Sequence, residues 1–453
     1  MGLLTEQLGL VDDAVTLELT GAVREVRGMA ARVTALPTPV GTQVRIAAGR
    51  GRAKPVAGEV IGFDGDVAVV MPLQSLAGVG PGDKVTTGQH AQSVRVGSAL
   101  LGRVLNGMGE PIDGLGPLRD TVTRPLQPRP IDPLDRPLID APLATGVRAV
   151  DAMATLGRGQ RLGVFAGPGC GKSTLLGMMA RRTEADVSVI ALIGERGREV
   201  RDFIDNVLGP NGLARSVVVC ATGDESALMR VRAASVASAI AEHFRDDGLD
   251  VLLLMDSVTR FCQAQRQIGL AAGEPPATRG YPPSVFSLLP QVLERAGRTR
   301  EGSITGLYAV LVEGDDMTEP IADACRGVLD GHVLLSRKLA EKGHFPAIDV
   351  LGSISRVMPD VTSKQHQQAA QLLTRLVADY REVEDLLNIG AYANGSNPDY
   401  DLAIAARPMI DQLLRQSRNE GPARADIAHT QQQLNAITLS IQQGQGQQPN
   451  QAS

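Results

Sequence analysis

Residues 166–174 of this 453-residue chain read Ala-Gly-Pro-Gly-Cys-Gly-Lys-Ser-Thr. A short apolar run, Leu162-Gly-Val-Phe165, precedes them, and a helical pattern, Leu175-Leu-Gly-Met-Met-Ala180, follows. A strand, a glycine-rich turn and Gly-Lys-Ser opening a helix together form a cradle for a polyphosphate. Gly167, Pro168, Gly169, Cys170 and Gly171 make the turn; its glycines let backbone N–H groups wrap an anion without Cβ clashes. The helix start adds unpaired donors and the positive end of its dipole. Lys172 supplies a point charge for the β and γ phosphates, the Ser173 hydroxyl can ligate Mg²⁺, and Thr174 continues the first turn. The first glycine of the strict pattern is Ala166, at the strand end, where a methyl group is tolerable.

Hydrolysis needs more than a cradle: a carboxylate near Mg²⁺, a group that orients water, and positive charge for the transition state. Val251-Leu-Leu-Leu-Met-Asp256 is a buried strand ending in an acid, the pattern in which an Asp holds Mg²⁺ through water. Ile190-Ala-Leu-Ile-Gly-Glu-Arg-Gly-Arg-Glu199 is a second strand, ending at a Gly-Glu-Arg turn. Ligands gather at the carboxyl ends of parallel strands, which sets Glu195 beside the nucleotide, able to polarise a water.

These residues need a frame. The pattern alternates β and α from Arg161, with strands expected at Leu162–Ala166, Val187–Ile193, Val217–Ala221, Val251–Met255 and Gly306–Val312, and a helix at Glu225–Arg245. Continuous apolar runs of this kind belong to a parallel sheet covered by helices on both faces. Upstream, residues 18–97 hold short β-rich runs at Thr42–Ile46, Gly58–Ile61, Val67–Met71 and Lys84–Thr87, with a hairpin signal at Asp64-Gly65, and predict a small β-barrel. A Pro/Gly-rich extended connector over 107–146 opens the central α/β unit, expected over 98–360. Beyond it, helical periodicity at Ala369–Leu387 and Leu402–Gln416 predicts a helical C-terminal domain, 361–441. The Gln-rich end, 442–453, is expected to be disordered. Residues 1–17 place Leu4, Leu8, Val11 and Val15 on one apolar helical face with nothing obvious to pack on.

Composition narrows the partners. The formal charge of −5 does not suggest nucleic-acid binding, and Phe63 is the only aromatic side chain of Phe, Tyr or Trp type before Phe165, which argues against a base-stacking barrel. Four cysteines without a Cys-x-x-Cys pair read as reduced thiols. No stretch has the length of a membrane span, and the N-terminus lacks the cationic start and apolar core of a signal peptide, so a cytoplasmic protein with peripheral membrane contact is expected.

Gly194-Glu-Arg196, Asp256-Ser-Val-Thr-Arg260, Pro275-Pro-Ala-Thr-Arg-Gly-Tyr-Pro-Pro-Ser284 and Ser353-Ile-Ser-Arg-Val357 occur together, in this order. The set resembles the catalytic subunits of rotary ATPases and the hexameric ATPases of type III protein export, over about residues 20–440. Arg103-Val-Leu-Asn-Gly-Met-Gly-Glu-Pro-Ile-Asp-Gly114, Asp132-Pro-Leu-Asp-Arg-Pro137, Thr145-Gly-Val-Arg-Ala-Val-Asp151 and Gly390-Ala-Tyr392 are most similar to the flagellar branch. The resemblance implies an N-terminal barrel, a RecA-like P-loop ATPase core with a mainly parallel sheet, and a helical C-terminal domain. It implies ATP and Mg²⁺, with Lys172 and Ser173 on phosphate and metal, Glu195 activating water, Arg196 beside it and Asp256 on the metal. Arg356 matches an arginine finger that reaches the neighbouring subunit's nucleotide, and Phe345 matches an aromatic that stacks on adenine. The implied partners are five further copies in a homohexamer, a regulatory subunit on the N-terminal segment, a stalk protein, an export gate and chaperone–substrate complexes. The virulence injectisome counterpart shares every catalytic residue. A rotary synthase subunit should carry an acidic loop near 390–401, where Gly-Ala-Tyr-Ala-Asn-Gly-Ser-Asn-Pro-Asp-Tyr-Asp stands instead. An RNA-translocating hexamer lacks its stacking aromatics here, and a non-hydrolysing subunit would have lost Lys172 or Glu195.

Overall fold

The computed structural model describes residues 18–51, 54–88 and 92–446. The expected face at Leu4, Leu8, Val11 and Val15 lies outside the described residues.

Short strands close into a six-stranded antiparallel barrel: β1 (Thr20–Arg27), β2 (Ala30–Thr34), β3 (Gln43–Ile46), β4 (Val56–Asp64), β5 (Val67–Pro72) and β6 (Lys84–Thr87), in the order β1-β2-β5-β4-β3-β6. Val33, Val44, Ile46, Val60, Val70 and Val85 fill its interior, and pairing of β1 with β6 removes the open edges. The hairpin signal is realised: Asp64 pairs with Val67 across Gly65 and Asp66, and Gly65 takes a φ of 63°, open to glycine without strain.

The core is a nine-stranded sheet. Its path runs β14-β13-β8-β12-β11-β9-β10-β7, where β7 is Val104–Asn106, β8 Arg161–Ala166, β9 Val187–Ile193, β10 Ser216–Ala221, β11 Asp250–Asp256, β12 Ser303–Leu311, β13 Gly331–Leu335 and β14 Ile348–Ser355. The ninth strand, Gly297–Arg298, pairs antiparallel with β12; β14 is antiparallel to β13, and the other neighbours on the path are parallel. Within the all-apolar runs, alternate residues feed opposite faces. Leu162, Val164 and Ala166 face one core cluster with helix α1 (Lys172–Arg182), while Phe165 faces the other with α2 (Ala227–Asp246) and α3 (Val258–Ala272).

The C-terminal helices α4 (Lys364–Asn388), α5 (Pro398–Leu414) and α6 (Ile427–Gly446) join the first cluster through Leu373, Leu376, Ile410, Leu413 and Leu434, so they share one continuous core with the sheet. The barrel attaches through a smaller patch, Met71 and Leu73 against Leu228, Met229 and Ile268.

Three differences from the sequence reading stand out. Val94 and Val96, assigned with the barrel, lie on a strand paired with Val122–Pro125 and pack in the second core cluster. Strands β7, β13 and β14 were not read. Residues 442–446, expected to be disordered, continue α6, because Leu434 and Ile441 give that Gln-rich helix a buried stripe; 447–453 lie outside the described residues.

Close packing of α1 sets one stability prediction. A Cβ on Gly177 would lie 1.9 Å from Val207 Cγ1. Gly177→Ala is expected to cost about 1–3 kcal/mol by overpacking. A thermal midpoint equal to that of the parent chain, read without nucleotide, would contradict this.

Candidate active site

Strand β8 delivers the chain to the loop at Ala166, and Gly169 and Gly171 then turn it with φ of 82° and 86°. Gly171 is the N-cap of α1 and offers no side-chain cap. Ser226, Ser257 and Ser363, in contrast, accept from backbone N–H groups at the starts of α2, α3 and α4. Only a helix start left free of its own cap keeps its N–H groups available to a ligand. Gly167 and Cys170 are buried, Pro168, Gly169 and Ser173 are exposed, and Thr174 is half-buried. Cys170 is 1% exposed within the apolar cluster, which is the setting of a space-filling thiol.

Lys172, Glu195 and Asp256 meet. The Lys172 ammonium donates a hydrogen bond to Asp256 Oδ1 and lies 3.6 Å from Glu195 Oε1. Strand β11 buries Asp256 almost fully, and β9 carries Glu195 just past its end. Burial, and then the Asp256 charge, push the Glu195 carboxyl up to about 7, against the opposing pull of Lys172. The turn is tight: Gly194 has a φ of 73°, and a Cβ there would lie 2.8 Å from Arg260 Cβ. Its backbone is pinned by Gly194 N–H donating to Ala221 O and Gly223 N–H donating to Glu195 O.

Arg196 is not brought into the cluster. Its side chain is 74% exposed and donates to Glu199 Oε1 at 2.7 Å. Glu199 is a member that the sequence reading quoted without a role. Its pairing with Arg196 holds its carboxyl below the usual range, and it also hydrogen-bonds Glu195. The four-residue spacing from Glu195 was the available signal.

Phe345 lies beside the loop: a Cβ on Gly171 would sit 3.8 Å from two of its ring carbons. The ring is 48% exposed, so it is not a core aromatic. Gln416, which the sequence reading missed, holds it in place. The Gln416 N–H donates to Phe345 O at 2.9 Å, while its side chain accepts from Arg148 N and donates to Gly146 O.

Arg356 stands apart. Gly331 pairs with Ser355 and Leu335 with Ile348, so antiparallel β14 ends at the amino-terminal edge of the sheet. That edge is four to five residue steps, roughly 15 Å, from the loop end of β8. Arg356 is exposed there, donates weakly to Arg326 O at 3.5 Å, and has no ion pair among the described residues.

The donor set suits a magnesium ion carried on a phosphate chain. Among the described residues no group of three or more His, Cys, Asp or Glu could hold a metal by itself. Mg²⁺ that keeps waters and phosphate oxygens needs only one or two protein oxygens, which the Ser173 hydroxyl and the buried Asp256 carboxylate can supply.

A mainly parallel sheet, a phosphate loop running into an uncapped helix, and a lysine between two strand-end carboxylates define a P-loop nucleotide hydrolase. Residues 146–355 match the ATP synthase alpha/beta family, nucleotide-binding domain, and residues 362–436 match the T3SS EscN ATPase C-terminal domain. A flagellum-specific ATP synthase of Salmonella typhimurium is 50% identical over 432 residues, 93% of this chain and 94% of that protein. One from Pseudomonas aeruginosa is 53% identical, over 82% and 83%. A type 3 secretion system ATPase of Xanthomonas euvesicatoria is 54% identical, over 80% and 82%. The solved structure of the assembled ATPase EscN, from the type III secretion system of enteropathogenic E. coli, is 42% identical and superposes with a TM-score of 0.87, over 92% of this chain and all of that one. This chain belongs to the family of type III export ATPases within the ATP synthase alpha/beta group.

Proposed function

We propose that the chain is the ATP-hydrolysing motor of a type III protein export apparatus, of the flagellar kind, coupling hydrolysis at hexamer interfaces to delivery and unfolding of export substrates. The meeting of Lys172, Glu195 and Asp256 beneath an uncapped helix start carries the hydrolytic part. Lys172 and Asp256 pair with each other in the free chain. Lys172 then bridges the β and γ phosphates, and the loop N–H groups wrap them. Ser173 and Asp256 would hold Mg²⁺, whose charge would offset that of the phosphate oxygens. Glu195 takes up a proton from the attacking water, with Arg196 and Glu199 holding the turn that carries it. Arg356 completes the site from a neighbouring chain, since within its own chain it lies at the far edge of the sheet.

Assembled EscN, and EscN with its central stalk EscO, are similar to this chain, which supports a homohexamer working with a stalk protein. Residues 1–17 would dock a regulatory subunit, and the remaining contacts would be an export gate, chaperone–substrate complexes and the inner face of the cytoplasmic membrane, reached from the cytoplasm. Among the described residues no helix is long and apolar enough to cross a membrane. Flagellar relatives that align over more than nine-tenths of the chain support that branch. Deleting the gene should abolish flagellar filaments; a mutant with normal filaments that fails to secrete effectors would move the chain to the injectisome branch.

Phe345 gives a subtler test. Stacking on a base is worth about 1–3 kcal/mol. Phe345→Ala should therefore raise KM for ATP about tenfold while leaving kcat within about twofold. A fall in kcat at unchanged KM would remove Phe345 from the adenine pocket.

A further inference from the structure

On the far side of the core, an open cleft of about 670 Å³ lies between the C-terminal end of α1, the Leu208–Gly212 segment and the loop Gly421–Arg424. Four guanidinium groups line it, those of Arg181, Arg182, Arg215 and Arg424. Among the described residues lining it, Asp186 is the one carboxylate.

Part of this charge has a structural use. Arg215 donates to Ala180 O, Arg181 O, Thr183 O and Ala185 O, closing the C-terminal end of α1, where a cation also suits the helix dipole. Arg424 reaches Glu184 O and pairs with Asp186 at 3.3 Å. One Nη atom each of Arg181 and Arg182 donates to Arg418 O, at 2.8 and 3.0 Å. These contacts do not exhaust the donors. Arg182 is 6% exposed, and its Nη1 has no hydrogen-bond partner among the described residues; the buried Arg181 Nε has none either. Burial, then repulsion from Arg418, pulls Arg181 below its ordinary range; burial, then repulsion from Arg181, pulls Arg182 below its own, against the opposing pull of Glu420. Buried charged N–H groups without an acceptor are costly, and a dianion with several oxygens is the partner whose geometry satisfies forked donors.

We propose that this cleft binds a compact phosphate-bearing anion, with the guanidinium groups of Arg181, Arg182 and Arg424 lining its site. The position links it to the nucleotide. Arg181 and Arg182 end the same helix that begins with Lys172, about 15 Å away at the helical rise. The loop beyond begins at Gln416, the residue that holds Phe345 beside Gly171. An anion that fastens loop to helix therefore stiffens both supports of the nucleotide site.

The test uses the full chain with a saturating non-hydrolysable ATP analogue, so that the phosphate loop is filled. Inorganic pyrophosphate is titrated by calorimetry into the parent chain and into Arg181→Gln and Arg424→Gln, which avoid the deeply buried Arg182. Saturable binding by the parent, weakened at least tenfold in both variants, is expected. Pyrophosphate should also raise the parent's thermal midpoint and leave those of the variants in place. Without pyrophosphate, ATP hydrolysis by the variants should remain within about twofold of the parent. Absence of saturable binding, or equal affinity in all three chains, overturns the proposal. Sedimentation with phosphatidylcholine vesicles containing phosphatidic acid distinguishes the source. Vesicle binding lost in both variants and competed by pyrophosphate makes it a lipid headgroup; vesicle binding indifferent to them makes it a soluble phosphate.

Discussion

ATP hydrolysis by Glu195→Gln is expected to fall by about 10²–10⁴-fold while nucleotide remains bound, the loss that follows removal of a general base. The amide keeps the size of the carboxylate and leaves the Lys172 contact region intact, but it cannot accept the proton of the attacking water. Lys172→Ala should differ in kind. Without the ammonium, the β and γ phosphates face Asp256 and Glu195 uncompensated, so binding and hydrolysis are lost together. A pH profile separates the two roles further. In the free chain Glu195 is protonated below about 7, the form that cannot act as base. kcat/KM for ATP should therefore rise with pH up to about 7 and level off above it, since that parameter reports groups of the free enzyme. Phosphate release and equilibrium nucleotide binding on both variants check the pair. Normal turnover by Glu195→Gln would end its assignment as the catalytic carboxylate.

Arg356→Ala should bind ATP and hydrolyse it poorly at every protein concentration, by roughly 10³–10⁵-fold if it supplies positive charge to the transferring phosphoryl group in trans. The geometry motivating this is specific. Antiparallel β14 carries Arg356 to the amino-terminal edge of the sheet, opposite the edge where Lys172, Glu195 and Asp256 meet. If Arg356 serves a neighbour's nucleotide, one chain would present the two halves of a site on two different edges. Specific activity of the parent should rise with concentration as rings assemble. Mixing Arg356→Ala chains with Lys172→Ala chains creates interfaces that pair an intact Lys172 with an intact Arg356, and partial activity should return. Mixed rings verified by light scattering, yet inactive, would reject simple complementation between neighbours.

The chemistry of the site was legible in residue types and local order, because a phosphate loop and two strand-end acids are made within short segments. Leu162–Ala166, Val187–Ile193 and Val251–Met255 were read within a residue of the strands observed, since each is a continuous apolar run buried on both faces. Strands β7, β13 and β14 escaped because they are short or half-buried: Gly331–Leu335 alternates buried and partly buried residues, and β14 pairs with it through an irregular register. Ser93–Val96 was drawn into the barrel because its pattern is that of any short strand; only its partner, Val122–Pro125, thirty residues later, assigns it to the core.

By itself, then, the amino-acid order determined where a glycine-rich loop, its lysine and the strand-end acids stand, and which runs must be buried, because those properties are local. Tertiary structure alone decided which groups touch. Sheet order brings Lys172 between Asp256 and Glu195 and turns Arg196 outward to Glu199. It sets Gln416 under Phe345, sends Arg356 to the opposite edge, and gathers Arg181, Arg182, Arg215 and Arg424 around one cleft. Contacts between residues tens to hundreds of positions apart follow from strand register and helix packing, which no local run of residues encodes.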